Sequence, residues 1–177
     1  GYVGITLLAA VGSKGFKVIG IDKSELLIKD LKDNKMHVHE PGLKESLQLS
    51  KDNKVIDFSC DLERAKNSNI HIICVGTPID ENMNHDLRAI KNVSESISLI
   101  LKKNDLVLIR STVPIGTTRN IIIPILEKSK LKVNNDFFVA FTPERTLEGN
   151  ALEEIFNIPQ IIGGYSSNCL EKAELFW

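Results

Sequence analysis

Residues 1–22 read GYVGITLLAAVGSKGFKVIGID. Two glycines three apart run into an apolar, helix-forming stretch, and a short β-branched run then ends in an aspartate. In dinucleotide-binding folds the turn after the first strand carries G-x-G-x-x-G. The helix that follows points its N-terminus at a pyrophosphate, the second glycine lets backbone approach the phosphates, and the third lets helix and strand pack closely. Gly1 and Gly4 match the second and third positions, with Tyr2 and Val3 between them. Asp22 lies 18 residues after Gly4, where a carboxylate accepts hydrogen bonds from ribose hydroxyls. A carboxylate there repels a 2′-phosphate, which favours NAD over NADP, although Lys23 beside it weakens the preference. A generic turn into a helix, with Asp22 merely capping a strand end, is the competing reading.

The rest of the chain alternates in the same manner. Strands are expected at 17–21, 54–58, 70–75, 106–110, 137–141 and 160–163, and several of them are nearly continuous apolar runs. That is the pattern of parallel strands covered on both faces. Helices are expected at 5–13, 24–33 with Ser24 as N-cap, 43–49, 62–66, 86–102, 117–128 and from about Ser167. In the 86–102 stretch Leu87, Ile90, Val93, Ile97, Ile100 and Leu101 recur at helical spacing. The fold class is therefore α/β, a Rossmann-like doubly wound parallel sheet. On this reading the first strand lies outside the chain, which is expected to be part of a longer protein at both ends.

Composition excludes several classes. The 177 residues carry a formal net charge of −1, with 42% hydrophobic and 25% charged residues, which favours neither nucleic acid nor an anionic membrane as partner. Apolar runs such as 120–126 are too short to span a bilayer. Three widely spaced cysteines and four histidines never gather at ligand spacing, so no metal site is expected. The thiols read as reduced, in a cytoplasmic protein.

Five further stretches carry a resemblance: HEPGL at 39–43, CVGTPID at 74–80, RSTVPIGTT at 110–118, FTPERTLEG at 141–149 and IIGG at 161–164. With GYVG and Asp22, in this order, the chain resembles the N-terminal domain of the UDP-glucose / UDP-N-acetylmannosamine 6-dehydrogenase family over essentially its whole length. It departs from that family at Gly76, where proline is usual.

The resemblance implies a two-step, NAD-dependent oxidation of a UDP-sugar C6 alcohol to a carboxylate. It implies aldehyde capture on a cysteine and hydrolysis of a thioester. That cysteine, its lysine and asparagine partners, a central helix and a UDP-binding domain belong to chain beyond residue 177, and the full-length protein is expected to be a homo-oligomer. The resemblance places Val75, Gly76, Thr77, Pro78, Ser111 and Thr112 against the cofactor, beside Gly1, Tyr2, Val3, Gly4, Asp22 and Lys23. It places Thr112 near the reacting carbon, Glu144 at the hydrolytic water and Glu148 nearby. A carboxylate buried in such a site is expected to be a base through desolvation.

Read from the residues alone, Ser111 and Thr112 could instead cap the 117–128 helix, and Glu144 and Glu148 could be solvated acids. His39 and Glu40 are expected to make structural hydrogen bonds around a Pro41–Gly42 turn, and Cys74 to be inert packing. The resemblance of Pro143-Glu144-Arg145 to the N-acetylhexosamine branch of the family implies UDP-N-acetylmannosamine or UDP-N-acetylglucosamine rather than UDP-glucose. A single-step 3-hydroxyacid or 6-phosphogluconate-type dehydrogenase, or a non-catalytic NAD-binding module, are the alternatives.

An absent central strand leaves backbone groups unpaired, which is costly where they are buried. The chain extended at its N-terminus by one apolar strand is expected to melt at a higher temperature than residues 1–177 alone. Equal melting temperatures would count against the missing strand.

Overall fold

The computed structural model describes residues 1–177. Along the chain run α1 (Tyr2–Ser13), β1 (Val18–Ile21), α2 (Glu25–Lys32), α3 (Leu43–Asp52) and β2 (Ile56–Ser59). Then follow β3 (Ile70–Ile73), α4 (Arg88–Ile100), β4 (Leu106–Ile109), α5 (Ile123–Leu126), β5 (Phe138–Phe141), α6 (Ala151–Asn157), β6 (Gly163–Gly164) and α7 (Ser167–Glu174). The chain forms two compact units, 1–65 with 145–159, and 66–144 with 160–177. No helix is long and apolar enough to cross a membrane.

In the first unit β1 and β2 pair in parallel, Val18 opposite Ile56. Helix α1 is buried along most of its length, through Ile5, Leu7, Leu8, Ala9 and Ala10. It joins Ile28 and Leu31 of α2, Leu43 and Leu47 of α3 and Phe58 of β2 in one apolar cluster. Each such side chain contributes about 1.5–3 kcal/mol on full burial. Close packing depends on Gly20, because a Cβ there would come within 2.8 Å of Leu8 Cδ1 and 3.1 Å of Phe58 Cδ1. Ser24 caps α2 as expected, its Oγ accepting from the Leu27 amide at 3.2 Å, with Glu25 in the first turn and Lys29 and Lys32 in the last. Helix α1 begins at Tyr2 rather than residue 5, so Gly4 lies inside its first turn.

The second unit holds the longer sheet, ordered β3-β4-β5-β6. The β3–β4 and β4–β5 pairs are parallel, with Ile70 opposite Leu106 and Leu106 opposite Phe138. Val107, Ile109 and Val139 face one cluster with Ile90 and Ile97 of α4. Leu106, Leu108, Phe138 and Ala140 face another with Cys169 and Ala173 of α7. Both faces are thus covered, as the apolar runs required.

The last strand departs from expectation. It is confined to Gly163 and Gly164 and runs antiparallel to β5. Residues 118–122 form a π-turn ahead of α5 rather than one regular helix over 117–128. Pro124, within α5, has no amide to donate to the preceding turn.

Where the parallel strands begin lies a buried polar cluster. His71 Nε2 is 3.1 Å from Asp105 Oδ2, and Asp105 is fully buried. Lys102 Nζ reaches Asp105 Oδ1 at 2.5 Å and also donates to the Ser68 carbonyl. Burial pushes the His71 pKa below its ordinary value; Asp105 opposes the shift and Lys102 adds to it. The unfolded chain therefore binds a proton near pH 6.5 that the folded one does not, and stability falls as pH drops from there towards the depressed value. Urea melts of His71→Gln between pH 7 and pH 5 are expected to lose up to about 1.4 kcal/mol per pH unit of slope. Part of the slope should remain, because burial and the terminal ammonium also lower the His37 pKa.

Candidate functional site

Two groups of residues hold the features picked out in the sequence, one in each unit. In the first, no side chain caps α1 at Gly1, and the first helical bond runs from the Ile5 amide to the Gly1 carbonyl at 3.1 Å. The amides of Tyr2, Val3 and Gly4 therefore precede the helical ladder, aligned with the positive end of the helix dipole. Asp22 follows β1 directly; its Oδ1 accepts from the Ser24 amide at 3.0 Å, and its Oδ2 lies 3.6 Å from the terminal ammonium. Lys23 is exposed. Uncapped amides at a helix start and a carboxylate beyond the next strand fit an adenine dinucleotide, one for phosphate and the other for ribose.

Tyr2 also connects this turn to residues far along the chain. Its hydroxyl donates to Glu40 Oε2 at 2.5 Å. The Gly149 amide donates to the same Glu40 oxygen at 2.9 Å and to the Tyr2 hydroxyl at 3.0 Å, while the Leu152 amide donates to Glu40 Oε1 at 3.1 Å. Glu40 thereby caps α6, whose own N-cap residue Asn150 makes no side-chain cap. Burial works to raise the Glu40 pKa, but the Tyr2 hydroxyl and the amides of Leu152, Gly149 and Ala151 outweigh it and hold the carboxyl below its usual range. The Tyr2 hydroxyl is pushed up to about 12, chiefly by burial and then by the hydrogen bond to Glu40. Glu40 thus makes the structural hydrogen bonds expected of it, and Gly42 turns the chain at φ +75° ahead of α3. Glu148 is exposed, next to Gly149.

In the second unit the segments leaving β3 and β4 are tied together. Ser111 Oγ donates to the Val75 carbonyl at 2.6 Å, and Thr77 Oγ1 donates to the Thr112 carbonyl at 2.5 Å. Val75, Gly76, Thr77, Pro78, Ser111 and Thr112 therefore share one edge, the carboxyl edge at which open α/β sheets bind ligands. Ser111 is buried with its hydroxyl committed, whereas Gly76, Pro78 and Thr112 are exposed. Neither Ser111 nor Thr112 caps a helix, since Thr117 starts the next turn without any side-chain cap. A Cβ on Gly76 would meet nothing within 4 Å, so the loop has room for a larger residue.

At the same edge β5 delivers Thr142 and Glu144. Thr142 is fully buried, and its hydroxyl has no hydrogen-bond partner, leaving an unmet polar group there. Glu144 is held by a cation that the sequence reading did not place there: Oε2 accepts from Arg110 Nε at 3.0 Å and lies 2.9 Å from Nη2. A neighbouring cation favours the ionised carboxylate and opposes the effect of burial. Cys74 stands just past the end of β3 rather than within it. Its thiol is pushed up to about 12, mainly by burial; Glu144 adds to the shift and Arg110 opposes it. Almost none of it is thiolate at neutral pH, in keeping with inert packing.

Sequence reasoning passed over Arg110 and the Glu40–Tyr2–Gly149 network. The signal for Arg110 was a charge ending the otherwise apolar run LVLI. The network joins residues more than 100 positions apart, which no local pattern reports.

Comparison with known proteins covers the whole chain. The family model described as "UDP-glucose/GDP-mannose dehydrogenase family, NAD binding domain" matches residues 1–177. The chain is 35% identical over 178 residues to UDP-N-acetyl-D-glucosamine 6-dehydrogenase of Pseudomonas aeruginosa, covering 98% of this chain and 40% of that protein. It is 36% identical over 181 residues to UDP-N-acetyl-D-mannosamine dehydrogenase of Pyrococcus horikoshii, covering 98% and 41%. A solved structure of the UDP-D-ManNAc dehydrogenase from Pyrococcus horikoshii superposes with a TM-score of 0.94 at 31% identity, covering 98% of this chain and 41% of that one. The chain thus spans about two fifths of the length of these relatives. Its doubly covered parallel sheet is of the Rossmann-like kind, and the chain belongs to the UDP-glucose/GDP-mannose dehydrogenase family, of which it is the NAD-binding domain.

Proposed function

We propose that this chain is the cofactor-binding part of an NAD-dependent nucleotide-sugar 6-dehydrogenase that oxidises the C6 hydroxyl of a UDP-sugar to a carboxylate. The observation that carries the reading is the gathering of Thr77, Thr112 and Glu144 at the carboxyl edge of three parallel strands, in a chain matched throughout by that family. NAD, when bound, accepts a hydride in each of the two oxidations. The amides of Tyr2, Val3 and Gly4 would hold its pyrophosphate and Asp22 its adenosine ribose, with Lys23 alongside. Val75, Gly76, Thr77, Pro78 and Ser111 would form the wall along the nicotinamide end.

Thr112, exposed at that edge, would hydrogen-bond the reacting alcohol and orient it. Glu144, kept ionised by Arg110, would accept a proton from the hydrolytic water, with Glu148 as a further acid of the substrate site. Cys74 is unsuited to act as nucleophile and Cys169 is buried, and neither they nor the exposed Cys60 lies in the family's cysteine motif, so the covalent step would use a thiol from another part of the longer protein. We further propose that residues 1–177 lack the central helix and UDP-binding domain, and that the full protein works in the cytoplasm as a homo-oligomer.

Among substrates, the Pro143-Glu144-Arg145 segment and the similarity to the UDP-N-acetyl-D-glucosamine 6-dehydrogenase of Pseudomonas aeruginosa and the UDP-N-acetyl-D-mannosamine dehydrogenase of Pyrococcus horikoshii favour UDP-N-acetylglucosamine or UDP-N-acetylmannosamine. UDP-glucose is the second choice. The full-length protein, assayed with each of these and with GDP-mannose, should release two NADH per sugar consumed, and the 177-residue chain alone none. One NADH per sugar would point to a single-step dehydrogenase, and turnover by the short chain would refute its incompleteness. Replacing Asp22 with serine in the full-length protein removes a hydrogen bond to a charged group. It should weaken NAD binding roughly tenfold and narrow the preference over NADP, measured by titration with both cofactors. Unchanged affinities would move the ribose away from Asp22.

A further inference from the structure

The four residues of β4 are apolar and buried, and the next residue, Arg110, is 2% exposed. Every part of its guanidinium is engaged. Nε and Nη2 hold Glu144 Oε2 at 3.0 and 2.9 Å. Nη1 donates to Gln160 Oε1 at 2.7 Å and to the Thr142 carbonyl at 3.4 Å, and the head lies 4.8 Å from the centre of the Trp177 ring. The backbones are joined as well: the Glu144 amide donates to the Arg110 carbonyl at 3.1 Å, and the Arg110 amide donates to the Ile73 carbonyl at 2.9 Å.

Stability alone accounts poorly for this arrangement. Desolvating a guanidinium and a carboxylate together is often no better than filling the same space with apolar side chains. What the ion pair supplies, and an apolar residue would not, is a fixed orientation and a fixed charge on Glu144. Two donors on one oxygen hold Oε2 in place. Gln160, Thr142 and Trp177 in turn keep the guanidinium from following any movement of Glu144.

We propose that Arg110 is a positioning residue for the hydrolytic half of the reaction, holding the Glu144 carboxylate ionised and aimed so that it takes the proton of the attacking water. This inference rests on the role given to Glu144 under the proposed function. Among the titratable groups beside Glu144 are Arg110 from the end of β4 and Cys74 from the end of β3. Cys74 is uncharged at neutral pH, whereas Arg110 brings a positive charge into direct contact with Glu144.

The test uses the full-length protein with NAD, assayed on UDP-N-acetylglucosamine and UDP-N-acetylmannosamine in parallel. Glu144→Gln is measured first, and a fall in kcat of about a hundredfold is expected from loss of a base. If kcat stays within about twofold, the reading of Glu144 is wrong and the inference goes with it. Given that fall, Arg110→Met should lower kcat at least tenfold and move the acidic limb of the kcat–pH profile upward by about one unit or more. KM for the sugar nucleotide should change less than about threefold, because Arg110 is buried and offers no surface to a ligand.

A displaced limb is the signature that a purely structural arginine would not give. If Arg110→Met fails to accumulate as folded protein, Arg110→Lys carries the test. An ammonium cannot make the paired contact, so a limb shifted in the same direction is expected, by less. An acidic limb unmoved in the folded variant, with Glu144→Gln impaired, overturns the positioning role while leaving Glu144 as the base.

Discussion

Parallel pairing is the constraint on which the second unit depends. When β3, β4 and β5 run side by side in one direction, the three segments that leave them must emerge at the same edge. Nothing in the separate sequences CVGTP, RSTVP and FTPER requires them to meet. The hydrogen-bonded register does, with Ile73 opposite Ile109 and Ile109 opposite Phe141. Side-chain links from Ser111 and Thr77 then hold two of the exits at a set spacing, and Arg110 holds the third through Glu144. The chemistry proposed for that edge is thus a by-product of strand direction, refined by a few polar contacts.

Much of this was legible in the sequence because it is local. Continuous runs such as IHII, LVLI and FVAF can be stable only when covered on both faces, and the two apolar clusters flanking the sheet provide that cover. Ser24 ahead of Glu25 announced a capped helix, and the stripe from Leu87 to Leu101 announced α4. The meeting of the 75–78 and 111–112 segments followed from fold class, and the structure brings them together.

What stayed hidden was set by distant partners. Helix α6 was passed over because its N-terminal amides are satisfied by Glu40 rather than by a neighbour in sequence. Residues 117–128 carried a helical pattern, but Pro124 withholds an amide and the preceding turn widens. The last strand shrank to two glycines, whose lack of side chains gives no alternation to read. Glu144 carries no local sign that Arg110, 34 residues earlier, holds its carboxylate. The cation was invisible as such because a charge at a strand end ordinarily marks exposure, and Glu144, Gln160, the Thr142 carbonyl and Trp177 make its burial tolerable.

The capping of α6 by Glu40 bears on the order in which the molecule assembles. Its bonds join positions separated by 109 and 112 residues, and the Tyr2–Gly149 bond spans 147. Contacts of such sequence separation carry a loop-closure cost that must be met before they repay it. During synthesis, the first 65 residues would leave the ribosome long before the segment that finishes their unit, with β3, β4 and β5 of the second unit intervening. Until then Glu40 and Tyr2 would have only each other, and the nascent start of α1 would wait, half-built, for a stretch of chain not yet made.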